Sequence, residues 1–527
     1  MPEYGTSQSD SKTSTQIDVQ SLASSDATIT ITPTLTSDEE TPLMQDNDGP
    51  VVPKSLRRFI ISMAVFMFLL KNINGTMRNA PMLKIMEDII CRDYYSDHLL
   101  WIPGGHDLRC KDIDVQKTLA MVKSWTVSSH LLVAVIVQIP YGILADKYGR
   151  RPILCLALLG CVINQIWLFV VLLFPDNLSI WSIIFSGLSY FVGGGVPIAN
   201  AIIYTLVTDV TPASERSTIF SRILALVILP GIVMNPICAF LMDFSPWIPM
   251  WIAFAADVIA FVAALFIPET MQLRQQTAKK DVEASFSESY EPDTKPGNNQ
   301  GLWQQARSSI QNDVSHLWQF VFGSKTIMLF VTVFSVCAAY KLALLGYMLQ
   351  YMTKRFNMEW STATYLSTIY ELSSAVVFMF ILPLASRILT NRFGYDSFNR
   401  DLLLAKISVA VAALSSLIGG LASTPWLFML SLPLGNLGDG YIALFRAILN
   451  ALVEPHAAAT LNTTISTVET LFQMLATPLF GWILGKGMEF GGAWTGLPYF
   501  AGCLFGTMAL TAMLVYQVPK GITPSQR

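Results

Sequence analysis

Charge is scarce in this 527-residue chain: Asp, Glu, Lys and Arg together make up 13% of it, against roughly a quarter in soluble globular proteins. That shortage excludes an ordinary water-soluble body, and with 52% hydrophobic residues most of the chain must sit out of water. Neither sign of charge dominates. A net charge of -3 offers nucleic acid no footing as a partner. Histidine is rare and scattered, and the seven cysteines include no C-x-x-C pair, so no metal site and no cofactor is expected. No G-x-x-x-x-G-K-[ST] loop is present to bind ATP, which argues against a primary pump. No nucleophile–base constellation stands out, so the chain does not read as an enzyme. Behind Met1 there is no short apolar core with a small-residue cleavage site, hence no cleavable signal peptide.

What is abundant is long apolar runs. A bilayer core needs about 20 apolar residues per helix. Spans are predicted near 57–78, 122–144, 152–174, 180–207, 217–242 and 247–268, and again near 325–353, 361–387, 401–422, 425–451, 461–485 and 495–517. The expected fold class is therefore an all-α integral membrane protein with twelve transmembrane helices. The domain plan is a disordered cytoplasmic tail (1–55), a six-helix bundle (56–268), a polar cytoplasmic linker (269–324), a second six-helix bundle (325–518) and a short tail (519–527). The first tail is rich in Ser, Thr and Asp and has too little apolar surface to offset its ordering entropy. In the linker, Trp303, Ile310, Val314, Leu317 and Val321 recur at helical spacing. They predict an amphipathic helix on the inner membrane surface or packed under the helix bundles.

Basic residues stay cytoplasmic. They cluster on the side that holds both termini, the 147–151 loop and the linker, which predicts cytoplasmic termini. The first outer loop is more basic than that rule prefers, with Lys84, Arg92, Lys117 and Lys123 among its cations. The same loop holds Cys91 and Cys110, and a disulfide or two free thiols both fit the sequence. Asn177-Leu-Ser179 is a glycosylation acceptor in the second outer loop. The other five cysteines lie in apolar runs as small hydrophobes.

Between the second and third spans stands Gly142-Ile-Leu-Ala-Asp146-Lys-Tyr-Gly149-Arg150-Arg151-Pro-Ile-Leu154. It resembles the G-x-L-A-D-x-x-G-R-R-x-x-L signature of the major facilitator superfamily at every defined position. The resemblance covers about 57–519 and implies two six-helix halves around a central cavity, with alternating access by rocking of the halves. Asp146 beside three cations implies a latch between the halves at the inner face. Asp209 and Arg216, after the fourth span, look like the D-x(6)-R element of tetracycline–proton antiporters and proton-coupled folate transporters. They are expected to join Asp146. The cysteine-bearing first loop looks like the folate group and its fungal relatives. In the fifth span, Leu229-Pro230-Gly231 to Asn235-Pro236 departs from the G-x-x-x-G-P-x-x-G-G pattern of proton-driven exporters.

Ionisable groups inside spans are costly and mark function by default. The candidates for solute or proton binding are Lys71, Lys341, Glu371, Asp439, Arg446 and Glu469, with Asn436 added by its spacing. Asp257 is read as turned inward and structural. Asn436, Asp439 and Arg446 are spaced to share one face of a continuous tenth helix. The alternative for the set is ion pairs that fix packing, such as Asp439–Arg446 or Lys341–Glu371. Aromatics in these spans fit either a pocket for a flat solute or an interfacial belt.

Together these features point to a secondary active transporter of a small organic solute. Proton-coupled efflux of a metabolite or drug-like compound is the main reading. Proton-coupled uptake of an organic anion, or a non-transporting sensor of the same fold, are the alternatives. The expected setting is a monomer in the plasma membrane, with a vacuolar or endosomal membrane second.

Overall fold

The computed structural model describes residues 53–95, 108–211, 213–270, 325–451 and 458–515. Most of the 1–55 tail, the 303–321 stripe and the side chain of Arg216 lie outside the described residues. Among the described residues all regular structure is helical. The first half holds α1 (Lys54–Tyr95), α2 (Ile113–Tyr148), α3 (Arg150–Leu173), α4 (Gly195–Val210), α5 (Ala213–Phe244) and α6 (Trp247–Ala264). The second holds α7 (Lys325–Arg355), α8 (Trp360–Val376), α9 (Leu382–Phe393), α10 (Ser397–Leu421), α11 (Pro425–Gly438), α12 (Tyr441–Ala451), α13 (Ala458–Phe490) and α14 (Leu497–Val515). Nine helices among the described residues are long and apolar enough to cross a bilayer. α8 and α9 form one span, as do α11 and α12; with α5 and α13 the plan reaches twelve.

Large apolar side chains such as Ile136, Phe185, Phe240, Trp251, Leu430 and Leu504 point outward and stay exposed. In water each would forfeit about 25 cal/mol per Å2 of apolar surface; against lipid it forfeits nothing. Inside the first half, small residues let helices approach. Ala157, Ala199, Ala260 and Ala264 are buried together with Met67, Leu154 and Leu206.

Three spans are not the continuous helices that hydropathy predicts, and each break has a local cause. The fourth span winds as a 3₁₀ helix over Ile180–Phe191 and restarts as α4 at Gly195, with Gly193, Gly194 and Gly195 all at positive φ. Only glycine takes that backbone cheaply, and a Cβ on Gly193 would also collide with the Leu156–Ala157 backbone of α3. The eighth span passes through a π turn, Val377–Ile381, just before Pro383. A proline cannot donate to the carbonyl four residues back, and a π turn absorbs the misfit. The tenth span stops at Gly438 and resumes at Tyr441.

The helix ends alternate between two faces, named here the disulfide face and the signature face. On the first, Cys91 at the end of α1 is bonded to Cys110 just before α2 (S–S 2.04 Å). On the second lies the Gly142–Leu154 turn. Helix boundaries also correct the sequence reading at the disulfide face. α1 runs on to Tyr95 and α2 starts at Ile113. Lys84, Glu87 and Asp88 therefore lie on a helix, and Lys123, counted as an outer-loop cation, is buried within α2. Hydropathy places a boundary where charges begin, whereas α1 continues past it because Lys84 pairs with Asp88 and Glu87 with Lys111.

Candidate functional site

The two halves meet along α2 against α13 and α5 against α8. At the disulfide face the boundary between the halves is dense with polar contacts from α1, α2, α7, α8 and α13. Glu87 is buried and is its hub: it accepts from Lys111 Nζ (2.6 Å), from the Gln116 amide, and from Trp360 Nε1 (2.7 Å) across the seam. Gln350 donates to the Gln116 carbonyl at 2.7 Å, and Lys354 donates to the Lys111 carbonyl. Lys117 pairs with Glu489, which Lys486 also holds (2.6 Å). Ser128 donates to the Met474 carbonyl at 3.0 Å. Outside the spans, Asp112 caps α2 and is held below its ordinary carboxylate range, chiefly by the Tyr95 hydroxyl (2.9 Å). Toward the signature face, among the described residues, Tyr148 at the end of α2 is exposed and α9 has no buried residue. Among the described residues, the polar bonds between the halves gather at the disulfide face.

Three cavities lie in a chain across this interface. One of about 240 Å3 is enclosed by the first half and includes Arg78, Lys123, His130 and Asn164 in its wall. It shares Gly75 and Asn79 with a second, of about 170 Å3, whose wall includes Asn235 of α5, Thr364 and Glu371 of α8. The second shares Leu345, Met348 and Tyr370 with a third, of about 40 Å3, bounded by Lys341, Ser415 and Gly435. This is the size and composition of a site for one small, largely apolar solute with a few polar anchors.

Of the expected site residues, Glu371, Lys341 and, through them, Asp439 and Asn436 come together. Lys341 Nζ stands 3.0 Å from Asp439 Oδ1 and over the Tyr370 ring, whose hydroxyl is 3.4 Å from the other oxygen. Asn436 is fully buried and donates to the Tyr370 carbonyl (2.7 Å) and to Ser373 Oγ (2.6 Å). Glu371 packs on Gly231, where a Cβ would stand 2.7 Å from its carboxyl carbon. The glycine of the departed fifth-span motif is thus what makes room for this carboxylate.

The rest of the set does not converge. Lys71 lines none of these cavities; it is buried against Asp257 at 2.8 Å, so the pair fixes α1 on α6. Arg446 pairs with Glu469 at 3.2 Å, stays 42% exposed, and lies away from the cavities. The shared face of Asn436, Asp439 and Arg446 is lost because the helix breaks between the second and third. Neither ion pair considered from spacing, Asp439–Arg446 or Lys341–Glu371, forms: Lys341 takes Asp439, Arg446 takes Glu469, and Glu371 is left outside both pairs. Sequence reading passed over His130 and Asn164 and placed Lys123 in the outer loop rather than in a site. A lysine inside an amphipathic stretch with no acid three or four residues away was the available signal.

At the signature face, Asp146 is 67% exposed and pairs with Arg150 one turn on at 2.8 Å. Arg150 also lies 3.7 Å from Asp209, which accepts from Thr270. Gly149 turns the chain at φ 107°, and Glu269 fills the space beside it, accepting the Arg150 and Arg151 backbone N–H groups at 2.9 and 3.1 Å. A carboxylate on exposed helix N–H groups is a strong cap. Gly142 has open space around its Cα. The bonds described here lie within the first half. Asn177 is exposed on the disulfide face between α3 and the 3₁₀ helix.

The family model of the Major Facilitator Superfamily matches residues 111–476. The chain belongs to the major facilitator superfamily; it is a secondary transporter and not an enzyme. It is 28% identical to the "MFS efflux pump atnC" of Emericella nidulans, over 88% of this chain and 89% of the relative. It is 27% identical to the "Efflux pump ustT" of Aspergillus flavus, over 86% and 88%. Among solved structures, a D-xylose–proton symporter superposes with TM-score 0.60 at 14% identity, covering 88% of this chain and 98% of that one. An inward-facing bacterial homologue of the lysosomal transporter Spinster gives 0.56 at 12%, covering 88% and 97%. These structures share the fold.

Proposed function

We propose that this chain exports a small organic solute in exchange for protons, and that Glu371 carries the proton. The observation that carries this reading is a contrast among the membrane carboxylates. Asp257, Asp439 and Glu469 each have a cation within 4 Å, whereas among the described residues Glu371 has none and lies in a cavity wall. A carboxylate without a cation partner takes up or releases a proton without breaking an ion pair, so its charge state can follow the cavity's access. Its place against Gly231 on the α5–α8 seam ties that charge state to the packing of the halves. Similarity to proteins named efflux pumps supports the direction.

In this reading the signature face and both termini are cytoplasmic, the Cys91–Cys110 face and Asn177 are outside, and the protein works as a monomer in the plasma membrane. The structure then represents a state closed at the disulfide face and open at the signature face, and the solute enters it from the cytoplasm. The Asp146–Arg150–Asp209 cluster meets the second half only after the molecule rocks to open the disulfide face. Lys341, Tyr370 and Asp439 hold the polar end of the cavity chain in shape.

Proteoliposomes with an imposed pH gradient and a panel of fluorescent amphipathic dyes test this. Dye and protons should move in opposite directions, and Glu371→Gln should remove gradient-driven flux while leaving dye-for-dye exchange. Flux of the same sign as proton flux would establish uptake instead.

A further inference from the structure

The cavity of about 240 Å3 in the first half holds two cations and no acid in its wall. Arg78, on α1, reaches only neutral oxygens: Asn164 Oδ1 at 3.4 Å and Gln165 Oε1 at 3.2 Å, both long for a guanidinium bond. Lys123, on α2, is 7% exposed, donates to the Gly346 carbonyl and rests against the Tyr347 ring. Among the described residues no carboxylate pairs with either. Elsewhere in the spans this protein pairs its lysines with acids, Lys71 with Asp257 and Lys341 with Asp439. Leaving two cations uncompensated in one small cavity is costly unless a visiting group supplies the counter-charge.

The surroundings add a direction. Asn164 Nδ2 donates to the Ser186 carbonyl at 2.9 Å, which assigns its amide orientation and makes Oδ1 the oxygen facing Arg78. The same Nδ2 lies 2.8 Å from His130 Nε2, which must therefore accept, so the imidazole is neutral and its proton sits on Nδ1. The histidine thus adds no third positive charge. Met82, Met86, Val127, Leu168 and Ile183 give the wall an apolar stretch, and its other polar residues, Asn79, Thr126 and Ser186, are neutral. A charged, forked donor beside an ammonium, with an apolar surround, suits one carboxylate on an apolar body.

We infer that Arg78 and Lys123 bind the carboxylate of an amphipathic organic acid, which makes such acids the substrate class of the transport site. This inference rests on the transporter reading above. It has a mechanical consequence: Gly346 belongs to the second half, so Lys123 is also one of the bonds that closes the disulfide face. A substrate carboxylate competes for that ammonium and loosens the seam on the side toward which the solute must leave.

Equilibrium dialysis on the full chain in detergent tests it, using radiolabelled 1-naphthylacetate and its neutral isostere 1-naphthylacetamide. The acid should bind at least tenfold more tightly than the amide. Arg78→Gln and Lys123→Gln should each bring the two probes within threefold of one another. Lys123→Arg, which keeps the charge, should retain the preference and guards against loss through misfolding. Equal binding of acid and amide, no binding of either, or an acid preference that survives both Gln substitutions would overturn the inference. Export of neutral dyes together with equal probe binding would leave the transport reading standing and remove the anion reading. Acid preference without flux of any solute would do the reverse.

Discussion

Trp360→Phe isolates one bond of the disulfide-face seam. The indole is 3% exposed and donates to Glu87 Oε2 at 2.7 Å, from the second half to the first. Phenylalanine keeps most of the apolar contact and removes the donor. Glu87 retains Lys111 and Gln116, both in its own half, so its charge stays compensated and the loss falls on the closed seam. A hydrogen bond to a charged acceptor contributes about 1.5–3 kcal/mol. At about 1.4 kcal/mol per tenfold change, that shifts the equilibrium toward the state open at the disulfide face by about 10- to 150-fold. The Gln350 and Lys354 bonds beside it persist, which favours the lower end. Ser128→Cys supplies the reporter, because Ser128 is buried under Met474 while the seam is shut. Labelling with a membrane-impermeant maleimide from the disulfide-face side should quicken by at least tenfold in the double variant. The Trp360→Phe chain without the reporter corrects for the five free cysteines. A rate within twofold of the single Ser128→Cys variant, with full reactivity after denaturation, would refute the assignment of this bond to the closed state.

Gly193→Ala should cost about 2 kcal/mol or more of stability, since it strains a positive-φ backbone and presses on α3; a thermal melt in detergent that stays within 1 °C would count against the packing described. The Glu489 carboxylate is held below its usual range by hydrogen bonds from Lys117 first and Lys486 second. A depressed carboxylate contributes above its ordinary range and is lost as pH falls through the lowered value. Acid on the disulfide face should therefore speed Ser128→Cys labelling, and Glu489→Gln should flatten that acid limb. Glu269→Gln removes the charge that caps α3, which should cost about 1 kcal/mol in the melt, whereas an unchanged melting temperature would make the cap incidental.

Much of this protein was legible in its sequence because lipid is an undiscriminating solvent. Any stretch long and apolar enough to cross it must be helical, so hydropathy alone places most of the spans, and the Gly142–Leu154 turn names the family by local chemistry. The Cys91–Cys110 contact was equally within reach, as two cysteines in one polar segment. What pairs with what was not. Lys71, Lys341, Glu371 and Asp439 are recognisable as costly charges one at a time, but spacing along a helix says nothing about which helix stands opposite. Only packing revealed that Asp257 and Asp439 take the two lysines, that Glu371 is left with Gly231, and that Glu87 collects donors from both halves. The breaks at Gly193–Gly195 and after Gly438 changed which side chains share a face, and an unbroken helical wheel cannot anticipate that. Composition and periodicity are properties of single segments and decide what dissolves in the membrane; charge compensation is a property of pairs, and only the folded chain selects the pairs.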